Sequence, residues 1–138
     1  MTIPAELNAS FDRQSQLATE AASITITVGA EGAPGADQRV VTCQVKDANG
    51  APLKRKTWVD LVAWATTGQA ALTSASTGLA VASGTISIAA WTAGKALRVL
   101  SDVNGFVNLT YTDTGTATCM VEAVCGAARG VSAQFANA

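Results

Sequence analysis

Apolar and polar residues alternate along most of the chain, beginning at Ser23. In "SITITV" the isoleucines and the valine take every second position, and "RVVTCQV" continues the pattern. A period of two places successive side chains on opposite faces of an extended strand. About seven to nine short strands of this kind follow, without a convincing core helix, which is typical of a sandwich or a barrel. The pattern therefore predicts an all-β antiparallel domain over residues 23–138.

One predicted strand, "KTWVDLVAW", has an unusual second face. Its apolar side is formed by Val59, Leu61 and Ala63. The other side carries Trp58, Asp60, Val62 and Trp64. Two tryptophans around one aspartate are not typical of a solvent-facing strand, so this side either covers part of its own domain or contacts another chain. Trp91 and Phe106 raise the same question, and together with Trp58 and Trp64 they are the candidate interface residues.

Two D-x-N-G sequences, "DANG" at 47–50 and "DVNG" at 102–105, separate predicted strands. Asn and Gly accept the left-handed backbone that hairpin turns require, so both are predicted as hairpin turns. A calcium loop would need further oxygen ligands and a distal Glu, which neither stretch has. The Ala/Ser/Thr/Gly-rich stretch 66–85 is predicted to be a projecting loop or weak hairpin. The last strand is expected in "VSAQFA", with Val131, Ala133 and Phe135 on one face.

Residues 1–22 differ from the rest of the chain. They contain helix formers, few β-branched residues and no clear period, which indicates an arm outside the core. The arm could dock on a neighbouring subunit or be a frayed end. Its first residues are polar where a signal peptide needs an apolar segment, and no apolar run approaches the roughly 20 residues that span a bilayer. We therefore expect neither a secretion signal nor a membrane anchor.

Charge is scarce in this sequence. Apolar residues make up 49% of the chain and charged residues 14%, whereas soluble domains average roughly 25% charged residues. A surface with few charges is less protected against association, which favours assembly with other chains. The net charge is −1, and the basic residues are scattered apart from Lys54, Arg55 and Lys56. Without a basic face, nucleic-acid binding is not expected.

The sequence contains no histidine, which removes the commonest general base and metal ligand. We therefore expect no catalytic residue, no metal site and no cofactor. Asp60 with Glu122 is the one carboxylate pair to inspect, although rim or interface charges are the preferred interpretation. Cys43 and Cys119 are expected to be buried thiols, with a disulfide across the two sheets as the alternative. Cys125 is expected to be inert.

Two long segments carry a family resemblance. They are "VKDANGAPLKRKTWVDLVAW" and "KALRVLSDVNGFVNLTYTDTGTATCMVEAVCGAARGVSAQFA". A strand ending in "SD" leads into x-N-G, a "V-x-L-x-Y" strand follows, and "G-x-A-T" opens the next. Over residues 23–136 this order resembles the immunoglobulin-like, bacterial-Ig-type domains in structural proteins of tailed bacteriophages. The resemblance implies a single immunoglobulin-like β-sandwich without catalytic residues.

The resemblance also implies a role in the virion after synthesis in the host cytoplasm. The compact chain favours a capsid decoration protein that contacts the major capsid protein, or other virion proteins, and sister copies. Family likeness suggests a homo-oligomer, with a trimer as the first guess. A neck- or tail-associated virion protein is one alternative. A carbohydrate- or host-surface-binding module is another, since an exposed tryptophan can stack on a sugar ring.

Overall fold

The computed structural model describes residues 20–82 and 86–138, without the side chains of residues 86–90. Residues 1–19 of the predicted arm lie outside this part of the chain. The described residues form ten β-strands and no helix, which confirms the all-β prediction. The strands are β1 (Ser23–Val28), β2 (Gln38–Lys46), β3 (Trp58–Trp64), β4 (Gly78–Val81), β5 (Ile86–Thr92), β6 (Ala96–Leu100), β7 (Phe106–Thr112), β8 (Thr118–Cys125), β9 (Ala128–Val131) and β10 (Phe135–Ala136).

The strands form two antiparallel sheets that pack face to face as a sandwich. The smaller sheet has the order β1-β2-β7-β4. The larger sheet has the order β10-β8-β3-β6-β5, and β9 also pairs with β8. β3 therefore lies in the middle of the larger sheet, between β8 and β6. The predicted antiparallel sandwich is confirmed.

The core is built from the inward positions of both sheets. The smaller sheet supplies Val41, Cys43, Val45, Val107, Leu109 and Tyr111, and the larger sheet supplies Val59, Leu61, Ala63, Leu97, Val99, Cys119, Val121 and Ala123. These are the positions that the period of two assigned to the apolar face of each strand. Complete burial of a valine or leucine side chain contributes about 1.5–3 kcal/mol, so this pattern supplies most of the force that folds the domain.

Both D-x-N-G sequences form turns of the same local design. The carboxylate of Asp47 accepts the N–H groups of Asn49 and Ala51, at 2.8 and 3.1 Å. Asp102 likewise accepts the N–H groups of Asn104 and Phe106, at 2.8 and 3.0 Å. The glycine that ends each turn has a positive φ, 80° at Gly50 and 68° at Gly105. The prediction of turns was correct.

Neither turn closes a hairpin between two strands of one sheet, although the first closes a short loop in which Lys46 and Pro52 form an isolated antiparallel bridge. The first lies between β2 of the smaller sheet and β3 of the larger, and the second between β6 of the larger sheet and β7 of the smaller. After the first turn the side chain of Leu53, 1% exposed, is buried in the core, and the chain then passes from the smaller sheet to β3 of the larger sheet. The two turns lie side by side, since the N–H of Val45 donates to the carbonyl of Gly105 at 2.9 Å at the end of the β2–β7 ladder. Each turn is thus a crossover between the sheets.

The segment at 66–85 begins as the weak hairpin that the sequence allowed, because residues 66–69 turn back along the end of β3 and Leu72 forms an isolated antiparallel bridge with Trp64. Residues 78–81 form β4 and pair with β7 at one edge of the smaller sheet. Thr73, Ala75 and Leu79 are buried. The small side chains permit close backbone contact, and the N–H of Leu79 donates to the carbonyl of Gly94, 2.7 Å away, in the β5–β6 turn. This contact joins the two sheets at that edge.

The predicted strand "VSAQFA" is divided in two. β9 ends at Val131, which is exposed, and β10 begins at Phe135. Between them Ser132 turns inward, and its hydroxyl accepts the N–H of Val121 at 2.9 Å. The N–H of Ser132 donates to the carbonyl of Val121, also at 2.9 Å. The alternation continues through this segment in the opposite phase to the predicted one, because Ser132 faces inward while Val131 and Ala133 are exposed.

A buried carboxylate organises the crossover from β7 to β8. Asp113 is 2% exposed and accepts N–H bonds from Ser76 at 2.9 Å, Gly115 at 3.2 Å and Ala117 at 2.9 Å. Burial alone would raise the pKa of Asp113, but these hydrogen bonds outweigh burial and lower it. Asp113 therefore ties the segment before β4 to the loop that enters the larger sheet.

Candidate contact surface

The outer surface of the larger sheet carries all three tryptophans. Trp58 and Trp64 occupy the two ends of the central strand β3 and point away from the core. Trp91 belongs to β5, and the guanidinium carbon of Arg98 lies 5.8 Å from the centroid of its ring. Arg98 is the partner of Asp60 on the neighbouring strand, which places Trp91 on the same outer surface. Three of the four candidate interface residues are therefore brought together.

Other apolar side chains extend this surface. Leu72 forms an isolated bridge with Trp64, and bridged residues of antiparallel segments point to the same side. Val131 of β9 pairs with Glu122, an outward residue of β8. We define the tryptophan face by the side chains of Trp58, Trp64, Leu72, Trp91 and Val131 and by the ion pairs Asp60–Arg98 and Glu122–Arg129.

The exposed apolar side chains of the described residues concentrate on the tryptophan face. Five large hydrophobic residues are exposed, and four of them belong to this face: Trp58 at 41%, Leu72 at 37%, Trp91 at 61% and Val131 at 47%. The fifth, Val103, lies in the second D-x-N-G turn. Scattered single apolar residues are ordinary on a protein surface, whereas a shared patch marks a site of interaction. The tryptophan face holds most of these exposed side chains and is therefore the candidate contact surface.

One ion pair of the tryptophan face joins β3 to β6. Arg98 binds Asp60 with two hydrogen bonds, Nε to Oδ1 at 2.7 Å and Nη2 to Oδ2 at 3.2 Å. The hydrogen bond and the charge of Asp60 raise the pKa of Arg98. Because both carboxylate oxygens accept hydrogen bonds from one guanidinium, Asp60 is neutralised within the face.

The second ion pair belongs to a network around Glu122. Its Oε1 accepts the indole N–H of Trp64 at 3.2 Å. Its Oε2 accepts a hydrogen bond from Nε2 of Gln69 at 3.4 Å and another from Nε of Arg129. Asp60 and Glu122 do share a face, as the sequence allowed, but each is bound to its own arginine. This arrangement suits a contact surface better than acid–base chemistry by a carboxylate pair.

Phe106 lies on the opposite side of the molecule. It is a half-buried residue of β7 that pairs with Gln44 of β2 and points outward from the smaller sheet. We define the threonine face as the outer surface of that sheet, formed by Thr25, Thr27, Gln38, Thr42, Gln44, Phe106, Thr110 and Thr112. The four candidate interface residues are thus divided between two faces.

Sequence reasoning missed several members of the tryptophan face: Leu72, Arg98, Arg129 and Val131. The alternation of "ALRVL" already placed Arg98 opposite Leu97 and Val99, on the outward side of its strand. The partner strand could not be read from that alternation, since β3 and β6 are far apart in the chain. The outward position of Arg98 was therefore available in the sequence, but its pairing with Asp60 was not.

The three cysteines are free thiols in the core and at its rim. Burial raises the pKa of Cys43 to about 12, and burial with the nearby charge of Asp113 raises that of Cys119 to about 12. Both therefore stay protonated and unreactive at neutral pH. Cys125 lies 3.2 Å from the hydroxyl of Thr57, beside an open groove of about 370 Å³ that Trp58 also lines. The alternative of a Cys43–Cys119 disulfide is not what the structure holds.

A second groove, of about 390 Å³, runs along the β1 edge and is lined by Ile26, Val28, Arg39 and Phe135 among others. Arg39 stabilises the fold there, since it donates hydrogen bonds to the side chain of Asn137 and to two carbonyl groups.

In residues 20–82 and 86–138, no cluster of three or more acidic or cysteine side chains could hold a metal ion. The same residues include no helix with the length and apolarity to cross a membrane.

No protein-family model matches this chain, and no curated protein matches it. Two crystal structures of the β-glucuronidase of Parabacteroides merdae, one with glycerol in its active site, are similar to it with a TM-score of 0.47 and 13% sequence identity. Each alignment covers 86% of this chain and 12% of the glucuronidase chain. The case for a function therefore rests on the chain's own sequence and geometry.

Proposed function

We propose that this protein is a structural component of a tailed-bacteriophage virion, built on an immunoglobulin-like domain of the bacterial-Ig type. The specific role is that of a capsid decoration protein, made in the host cytoplasm and bound to the head surface. It acts by contact with the major capsid protein and with sister copies rather than by catalysis. The sandwich fold and the two D-x-N-G turns support the family assignment. The observation that carries the function is the tryptophan face.

The physical basis of this role is the combination of apolar exposure and internal charge pairing. Exposed indoles supply the large contact area on which interface energy concentrates. On a symmetric shell many weak contacts add through avidity. A protein that binds the assembled shell in preference to free subunits shifts the assembly equilibrium toward the shell. The predicted arm at residues 1–22 would extend onto an adjacent subunit.

The test is a binding experiment on shells assembled from the major capsid protein of the phage that encodes this chain. The purified protein should cosediment with the shells to a saturable occupancy, and it should raise the temperature at which they disassemble. A protein that stays in the supernatant at saturating shell concentration would contradict the proposal. Removal of residues 1–19 should lower occupancy, and unchanged occupancy would contradict the role of the arm. Localisation of the bound protein by electron microscopy would separate head from neck or tail.

A second candidate function is a carbohydrate- or host-surface-binding module, favoured by three indoles on the outer surface of one sheet. A glycan module binds as an isolated monomer, and its binding falls when Trp58 or Trp64 is changed to Ala. A decoration protein binds no glycan and is retained on shells. Measurement of both activities on the same preparation discriminates the two functions.

A further inference from the structure

The sequence contains two Asn-Gly pairs, one in each D-x-N-G turn, and such pairs have a chemistry of their own. The backbone nitrogen of the residue after an asparagine can attack the side-chain carbonyl carbon of that asparagine. The attack is easiest before glycine, which has no Cβ atom to hinder the approach of the nitrogen. Asn49–Gly50 and Asn104–Gly105 are therefore the most reactive pairs of this kind in the chain.

The two turns share the local features that affect this reaction. In each turn the aspartate carboxylate accepts two backbone N–H groups. Each glycine N–H donates to the carbonyl of the aspartate that begins its turn, at 3.1 Å in both. Asn49 and Asn104 are both exposed. A difference in reactivity must therefore come from the surrounding fold rather than from the turns themselves.

The fold restrains the Asn104–Gly105 peptide group from several sides. The main-chain carbonyl of Asn104 accepts a hydrogen bond from Nε2 of Gln44 at 2.8 Å. Gly105 is buried, and its own carbonyl accepts the N–H of Val45 at 2.9 Å. A Cβ atom at Gly105 would lie 2.8 Å from the carbonyl oxygen of Leu53, so little free space surrounds it. Ring closure requires this peptide group to rotate, and these contacts must open first.

The Asn49–Gly50 peptide group lacks such restraints. Neither the side-chain amide nor the main-chain carbonyl of Asn49 has a hydrogen-bond partner among the described residues. Gly50 is exposed, and a Cβ atom built on it would meet no atom within 4 Å. Rotation here breaks only bonds within the turn. One contact favours the other pair, since Nζ of Lys54 lies 3.4 Å from Oδ1 of Asn104 and polarises that carbonyl. Polarisation has no effect while the glycine nitrogen cannot reach the carbon.

We propose that Asn49 is a modification site at which the side-chain amide is converted spontaneously to a carboxylate, and that the fold protects Asn104 from the same reaction. A bond forms between the nitrogen of Gly50 and the side-chain carbonyl carbon of Asn49. The bond from that carbon to Nδ2 breaks, and Nδ2 leaves as ammonia with the proton of the Gly50 nitrogen. Water then opens the cyclic imide, which gives aspartate by attack at the side-chain carbonyl and isoaspartate by attack at the main-chain carbonyl. The reaction is independent of the function proposed above.

The isoaspartate product disrupts the first crossover turn. It routes the main chain through the former side chain of Asn49, which inserts an extra carbon atom between residues 49 and 50. The N–H groups of Asn49 and Ala51, which both bind the carboxylate of Asp47, are thereby moved apart. A new carboxylate also enters the turn that holds the buried carboxylate of Asp47. Chains with isoaspartate should therefore unfold at a lower urea concentration than unmodified chains.

The test compares the two pairs in the folded and the unfolded protein. The full chain is incubated at mildly alkaline pH in heavy-oxygen water, with and without urea, and is then digested with trypsin in ordinary water. Cleavage after lysine and arginine places the two pairs in separate peptides, residues 47–54 and 99–129. Mass spectrometry with fragmentation then measures, at each asparagine, the fraction that has lost its amide and gained the heavy oxygen.

In urea the two asparagines should react at rates within about threefold of each other, because no fold restrains either pair. In the folded protein Asn104 should be slowed at least about tenfold, since its reaction waits for local opening, and Asn49 by no more than about threefold. Gly50→Ala is the control for the route. It should slow conversion of Asn49 about tenfold or more even in urea, because a Cβ atom hinders the attacking nitrogen, and should leave Asn104 unchanged.

Equal protection of the two asparagines in the folded protein, or faster conversion at Asn104, would overturn the proposal. Conversion of Asn49 that Gly50→Ala does not slow would overturn the cyclic imide route. The isoaspartate form, separated by chromatography, should unfold at a lower urea midpoint than Asn49→Asp, which carries the same charge on an ordinary backbone. Equal midpoints would contradict the disruption of the turn. None of these measurements involves a capsid shell, so their outcome leaves the proposed function untouched.

Discussion

The two outer faces of the sandwich cover the same core but differ in chemistry. The threonine face presents mainly hydroxyl and amide groups, with half-buried apolar side chains at Val40 and Phe106. The tryptophan face presents exposed indoles at Trp58 and Trp91 and holds both ion pairs found in the described residues. Hydroxyl groups remain well solvated in isolation, whereas exposed indoles gain from being covered. The difference makes the tryptophan face the candidate contact surface of the domain.

In each strand the inward-facing and the outward-facing residues specify different properties of the protein. Inward positions of β3 and β7 are apolar residues, aliphatic except for Tyr111, that specify a sandwich and little more. Outward positions carry the contrast, because Trp58 and Trp64 face out from β3 while Thr110 and Thr112 face out from β7. Fold therefore follows from the inward half of the pattern, and the candidate function follows from the outward half.

The largest expected effect comes from a change at the edge where the two sheets are joined, next to β4. Gly94 has a φ of 73°, and a Cβ atom built on it would lie 1.8 Å from the carbonyl oxygen of Thr77. Gly94→Ala should therefore lower the free energy of unfolding by about 3 kcal/mol, measured by urea denaturation. Gly50→Ala is the matched control, since its φ is 80° but its added Cβ meets no atom within 4 Å. It should cost about 1 kcal/mol. Equal losses would show that the contact at Gly94 is unimportant.

A smaller effect is expected at the joint between the sheets. Asp113→Asn should lower the free energy of unfolding by about 2 kcal/mol at neutral pH, because hydrogen bonds to a charged acceptor are weakened. The folded-state pKa of Asp113 is lowered from its ordinary value of 3.8. The stabilisation is therefore complete above the unfolded-state pKa and is lost as pH falls through the folded-state pKa. Urea denaturation across this range should show the difference between the two proteins narrowing in acid. A constant difference at all pH values would contradict this account.

The next prediction compares the loss of one aromatic residue from each face by its effect on the free energy of unfolding. Phe106→Ala removes a half-buried ring and should lower the free energy of unfolding by about 1 kcal/mol. Trp91→Ala removes a larger ring that is 61% exposed, and it should change the free energy by no more than about 0.5 kcal/mol. Thermal unfolding at a concentration where the protein is monomeric measures both. If Trp91→Ala proves the more damaging, the indole serves its own domain rather than a partner.

The smallest effect is expected between the two faces, at Tyr111. Its side chain is fully buried, and burial raises the pKa of its hydroxyl. That hydroxyl has no hydrogen-bond partner in bonding geometry among the described residues. Thr73 nevertheless lies close enough to lower the pKa in part. Tyr111→Phe removes this unsatisfied group and should raise the free energy of unfolding by up to about 0.5 kcal/mol. A loss above about 1 kcal/mol would show that the contact with Thr73 is a productive hydrogen bond.

The sequence predicted the elements of this fold better than their partners. The alternation in β3 correctly placed Val59 and Leu61 inside and Trp58 outside, because strand direction is a local property. It could not predict that Arg98 neutralises Asp60, since this pairing depends on which strands become neighbours. The turn at Asp102 was readable for the same local reason, whereas its crossing to the other sheet was not. Ser132 faces inward in place of Val131 because it bonds to the neighbouring strand β8, and the phase of that pairing could not be read from the alternation.

The contact between the two crossover turns has a consequence for how the domain opens. The hydrogen bond from Val45 to Gly105 is the last bond of the β2–β7 ladder, which joins opposite halves of the sequence. Fraying of either crossover turn therefore opens this bond while the centre of the smaller sheet stays paired. Deuterium should enter the Val45 amide sooner than the bonded amides in the middle of β2, which makes this proton a gauge of local opening at the crossovers.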